Sequence, residues 1–179
     1  YWVDAIICDY NYVFDPHVRL QRYFADGERG EYIFLVDEAH NLVERAREMY
    51  SAKLEKEEFL AAKKYYEPFK SVVKQINSCN RKLLELKREC DVWKVLPEGE
   101  GIGSFVMALE RLYEALNRLS ETHPEWTAPK EASEFFFHVR DFLEVYERLD
   151  EHYEVYMEHT SQGTFQINLL SIDKEVRTG

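Results

Sequence analysis

From Phe69 to Trp93 the apolar residues of this chain recur at steps of three and four: Phe69, Val72, Ile76, Cys79, Leu83, Leu86, Cys90 and Trp93. Residues so spaced share one side of a 3.6-residue helix, whereas a strand would scatter them over both faces. The pattern predicts a long helix with one buried seam, in which Cys79 and Cys90 are packing residues. Pro68 divides it from an earlier helix predicted over 56–66, because proline inside a helix removes a hydrogen bond and clashes with the preceding turn. A third stripe runs through Phe105, Leu109, Leu112, Leu116 and Leu119, and a fourth through Phe135, Val139, Phe142, Tyr146, Leu149 and Tyr153. "LPEGEGIGS" and "ETHPEWTAP" break the chain between them. Helices with single stripes and short connections pack as an antiparallel bundle.

The two ends carry other patterns. "VDAIIC" (3–8) and "YIFLV" (32–36) are short apolar runs rich in β-branched and aromatic residues, fit for buried strands. A helix is expected over 18–24, opened by Asp15-Pro16, and another over 42–50. Strand, helix, strand, helix predicts a parallel pair with a crossover. Near the other end, Tyr153, Val155 and Met157 alternate with glutamates. After "TSQG", Phe165, Ile167 and Leu169 alternate with Gln166 and Asn168, which is a period-two hairpin signal. The expected fold is therefore mainly α with an α+β character: a helical bundle inserted into a partial parallel α/β domain, with a C-terminal β-hairpin. Its divisions fall at 1–51, 52–160 and 161–179. The opening on Tyr1, directly before a strand-like run, suggests a fragment of a longer protein.

Composition enters through charge and cysteine. The net charge of −11 argues against nucleic acid as a partner of the whole surface, yet residues 53–94 hold 11 basic against 7 acidic side chains. That asymmetry lets one helical face attract phosphate while the remainder repels it, although a solvated helix with ordinary Lys/Glu pairing has the same composition. Candidate phosphate contacts are Lys63, Lys64, Lys70, Lys74, Arg81, Lys82, Lys87 and Arg88, with Tyr65 and Tyr66 available for stacking. Cys8, Cys79 and Cys90 are odd in number and lack the two-to-four residue spacing of a metal site, which suits a reducing, cytoplasmic setting. No apolar run approaches the about 20 residues that span a bilayer, so no membrane partner is expected.

"FLVDEAHN" (34–41) carries the chemistry. In an open parallel sheet, ligands bind beyond the carboxyl ends of the strands, where Asp37 and Glu38 follow "YIFLV". One carboxylate there can hold Mg²⁺ through its water shell, and a second can deprotonate the water that attacks a γ-phosphate. Helix capping is the competing explanation, with Asp37 as N-cap and Glu38 in the first turn.

The stretch resembles the DEAH box of superfamily 2 helicases. "IICDYNYVFDP" (6–16) is similar to the segment that precedes that box in XPD/DinG-type DNA helicases, and "INLLSIDKEV" (167–176) resembles their return strand into the first motor domain. The resemblance implies that the bundle is an Arch domain, which frames and gates single-stranded DNA during ATP-dependent 5′-to-3′ movement. It implies that Asp37 binds Mg²⁺, Glu38 is the general base of ATP hydrolysis and His40 couples hydrolysis to DNA. ATP, Mg²⁺ and a [4Fe–4S] cluster are implied for the parent protein, with no cofactor in the fragment. None of the three cysteines here matches the cluster's ligands. No G-x-x-x-x-G-K-[ST] occurs, so the fragment itself is expected to be inactive. A reading of a different class treats the bundle as a platform for partner proteins, anchored by Tyr113, Phe136 and Phe137.

Overall fold

A computed structural model of the chain describes residues 4–15, 18–24 and 30–172. Two one-turn helices come first, α1 (Asn11–Phe14) and α2 (Gln21–Phe24), then a 3₁₀ turn at Ala39–Asn41 and α3 (Leu42–Met49). The chain continues through β1 (Ala52–Glu55), α4 (Lys56–Tyr65), α5 (Lys70–Arg88), β2 (Trp93–Val95), α6 (Gly103–Thr122) and α7 (Lys130–Tyr146). It closes with β3 (Tyr153–His159) and β4 (Phe165–Ser171).

The apolar stripes do what their spacing demands. Val72, Ile76, Cys79, Leu83 and Leu86 of α5 are buried, as are Phe105, Leu109, Leu112, Leu116 and Leu119 of α6 and Phe135, Val139 and Phe142 of α7. Phe59 of α4 joins the layers, its ring 5.2 Å from Phe135 and 6.2 Å from Phe105, both edge-on. Such tilted contacts are the favoured geometry for aromatic quadrupoles and stabilise beyond the area they bury. Tyr66 is nearly inaccessible and donates its hydroxyl to the carbonyl of Ala132 at 3.1 Å, which satisfies a polar group the core would otherwise penalise. Burial alone pushes its pKa up to about 12.

Against the helices lies one antiparallel sheet of order β1-β4-β3-β2. The expected hairpin forms its centre: β3 and β4 pair from Tyr153↔Ser171 to His159↔Phe165. In the turn, Thr160 accepts and donates to Thr164, and Gly163 takes a left-handed φ of 81° that a side chain would oppose. Val155, Met157, Ile167, Leu169 and Leu54 bury one face of the sheet against the bundle. Residues Glu158, Tyr156, Gln166 and Asn168 share the other face. Strands β1 and β2 were not anticipated, being only four and three residues long. Because β1 pairs with β4, the hairpin is built into the same sheet as the start of the helical region.

Several expectations are corrected. Residues 4–8 and 32–36 form no strand and no parallel pair among the described residues, and Val3 lies outside them. A strand requires a neighbour to complete its ladder, and none is aligned there, so Ile7, Ile33 and Leu35 stand 93–102% exposed. The helix expected over 18–24 is confined to Gln21–Phe24, and Pro16 lies outside the described residues. The stripe of α5 ends before Cys90 and Trp93, since the helix stops at Arg88 and Trp93 enters β2. Likewise Leu149 and Tyr153 fall beyond α7, with Tyr153 opening β3.

Candidate functional site

The segment 37–41 is a tight acidic turn. Glu38 has φ 52° and ψ 36°, a left-handed conformation that costs a non-glycine residue roughly 1–2 kcal/mol. It lies between the irregular run 30–36 and the 3₁₀ turn, where the N–H of Asn41 donates to the Glu38 carbonyl at 2.9 Å. Asp37 Oδ1 accepts the N–H of Glu38 at 2.9 Å. His40 Nδ1 lies 3.2 Å from Glu38 Oε2, both side chains being more than two-thirds exposed. Glu38 and His40 are thus in contact, and Asp37 touches only the backbone of Glu38.

Capping does not explain the carboxylates. Glu38 stands at the N-cap of the 3₁₀ turn and Asn41 at that of α3, and neither makes a side-chain cap bond. Asp37 spends one oxygen on its immediate neighbour and leaves its side chain open to solvent. An exposed carboxylate of this kind suits Mg²⁺, which keeps most of its waters and takes one or two carboxylates beside substrate phosphates. Among the described residues no group of three or more His, Cys, Asp and Glu could hold a metal by itself. The cysteines do not suit an iron–sulfur cluster either. Cys79 and Cys90 are buried and Cys8 is exposed in another part of the chain, and burial pushes the Cys79 thiol up to about 12, away from the thiolate that iron requires.

A cleft of about 310 Å³ lies between α3 and the end of the sheet, lined by Val43, Ala46, Arg47 and Tyr50 on one side and by Asp150, His152, Tyr153 and Ser171 on the other. α3, none of whose residues is buried, connects the acidic turn to this end of the central hairpin.

The basic candidates separate into two groups. Lys70, Lys74 and Arg81 line one groove of about 660 Å³, joined by Arg111 from α6. Lys63 and Lys64 end α4, where they complement the helix dipole, and lie outside the groove. Lys82 is held by Glu85 at 2.7 Å, and Lys87 and Arg88 close α5 beyond it. Tyr65 and Tyr66 do not line the groove, and Tyr66 is buried. Arg111 lies outside the basic segment 53–94, so the charge asymmetry of the sequence does not point to it. The available signal was its place beside the buried stripe of α6, on the flank that an antiparallel α5 would meet. Elsewhere, Tyr113 of α6 stacks on Phe136 of α7 at 5.6 Å. Phe137, 45% exposed, carries the guanidinium of Arg140 over its ring at 4.9 Å.

The family model DEAD_2 matches residues 2–59. The segment holding the acidic turn, α3, β1 and the first turn of α4 is therefore similar to a DEAD/DEAH-box helicase-related family, and the match supports a helicase-type, ATP-hydrolysing parent. No curated protein matches the chain.

Proposed function

We propose that this chain is part of an ATP-dependent 5′-to-3′ DNA helicase of the XPD/DinG type. Residues 1–51 belong to its first motor domain, 52–160 to a helical Arch that frames and gates single-stranded DNA, and 161–179 to the return toward the motor. The observation that carries this reading is the Asp37–His40 turn, which lies inside the matched segment and whose carboxylates are not spent on capping. Asp37 would hold Mg²⁺, an ion that neutralises charge on a transferring phosphoryl group when bound. Glu38 takes the proton of the attacking water, and His40, already within reach of Glu38, reports on the state of that carboxylate to the DNA-binding parts. Phosphoryl transfer needs the nucleotide surrounded by a phosphate loop and an Arg-bearing second motor domain. The chain holds no G-x-x-x-x-G-K-[ST], so it is not expected to hydrolyse ATP on its own. An iron–sulfur cluster in the parent would draw its thiolates from outside these three cysteines.

The test is Glu38→Gln in the full-length protein. Removing the base while keeping the shape should leave ATP binding within a few-fold and lower DNA-stimulated turnover by at least about 10²-fold, the usual worth of a positioned base. Normal turnover in that variant would end the assignment. A second reading, a docking platform for partner proteins, is favoured by the exposed ring of Phe137, which sits under Arg140 and beside the half-buried Tyr113–Phe136 stack. Aromatic rings beside an arginine are the residue types that dominate binding energy at interfaces.

A further inference from the structure

We infer that the groove between α5 and α6 binds the sugar-phosphate backbone of a single nucleic-acid strand without reading its bases, an inference that rests on the DNA-facing part of the proposed function. Lys70, Lys74, Asn77 and Arg81 stand at i, i+4, i+7 and i+11 of α5, so they form one line on one face. At 1.5 Å per residue that line runs roughly 16 Å along the helix axis. Arg111 of α6 adds a fourth cation to the same groove.

The lining is chemically selective. Four cations meet a single carboxylate, Glu67, so the groove is positive on a chain whose net charge is −11. Among the described residues Lys70, Lys74 and Arg111 have no ion-pair partner within 4.0 Å, and their charge remains available to a ligand. Asn77 and Ser78 supply neutral donors between Lys74 and Arg81, of the kind that fix phosphate oxygens in register. Val73 is the one apolar lining residue and no aromatic ring is present, so nothing offers a base a stacking surface. The line closes at its far end, where Glu85 binds Lys82 at 2.7 Å and interacts with the charges of Arg81 and Arg88.

The test is fluorescence anisotropy with the 179-residue chain and labelled oligothymidylate or oligodeoxycytidylate, titrated between about 50 and 200 mM salt. Each engaged cation contributes a slope of about −0.7 to log K against log salt for a single strand. Four cations give about −2.8, a roughly fifty-fold loss over that range. Arg111→Ala and Lys74→Ala should each reduce the slope by about 0.7, and Arg111→Lys should restore it. Lys63→Ala and Lys87→Ala, outside the groove, should leave it unchanged. The two strands, alike in sugar and phosphate and different in base, should bind alike.

Binding with slopes that the groove variants do not move would overturn the groove and leave the helicase reading standing. Equal losses in Lys63→Ala and Arg111→Ala would overturn it too, by showing a diffuse field. More than about tenfold discrimination between the two strands would mean that the bases are read, contrary to the inference. No binding of either strand at the lower salt would overturn the inference together with the DNA-facing part of the proposed function.

Discussion

At the scale of single residues, one pair ties two helices by a bond that pH can switch. His138 Nδ1 of α7 lies 3.1 Å from Glu58 Oε2 of α4. The hydrogen bond to Glu58 is the main cause that raises the imidazole pKa above its ordinary value. Partial burial opposes it, and the charges of Glu58, Asp141 and Glu134 add to it. A folded-state pKa above the unfolded one means that the folded state holds the proton more tightly. The stabilisation is complete below the ordinary histidine pKa of about 6.5 and fades as pH rises through the raised value. Melting temperature measured from about pH 5.5 to 8.5 should fall over this window in the wild type, with a smaller fall in Glu58→Gln. Identical profiles would show that the pair contributes nothing to folding. None of this was legible in the sequence, where eighty residues separate the partners. The acidic turn was legible, because its residues are contiguous. Its left-handed Glu38 was not, since glutamate has no preference for that conformation.

Among elements, legibility follows length and burial. The seams of α5, α6 and α7 could be read from spacing because each is long and offers a buried side chain at every turn. β1 and β2 could not, because a strand of three or four residues has no period to detect and its place is set by β3 and β4, distant in sequence. The central hairpin was readable, yet its alternation implied one solvated face, and here the structure adds a polar cluster. Glu158 Oε1 accepts from Gln166 Nε2 at 2.7 Å and from Asn168 Nδ2 at 3.3 Å, while both amides are less than 9% exposed. Removing that acceptor leaves buried donors poorly paired. Glu158→Ala should therefore cost about 1–3 kcal/mol in denaturant unfolding, and Glu158→Gln, which keeps an acceptor oxygen, should cost less. Equal midpoints for wild type and Glu158→Ala would mean that water replaces the carboxylate.

Across the whole molecule, two kinds of chain are joined at residue 50. From β1 to β4, helices and sheet share one core, with Phe59, Phe105, Phe142 and Phe165 fully buried in it. In the described residues before α3, apolar side chains of the strand-forming type stand in solvent, and 4–8 and 32–36 enter no ladder. Ile7, Ile33 and Leu35 gain nothing from hydrophobic burial, Tyr32 and Phe34 are only half-covered by their contacts with Phe24, and neither run enters a ladder. Hydrogen exchange should divide accordingly. Amides of β3 and β4 should exchange only with global opening, whereas those of 4–8 and 32–36 should exchange at nearly the rate of an unstructured peptide. An exposed run such as "YIFLV" is also a template for pairing with another strand. Raising the protein concentration should therefore slow exchange at 32–36 if copies associate through it, and leave β3 and β4 unchanged. Strong protection of 32–36 in dilute solution would contradict the unpaired state, because only a completed sheet could supply it.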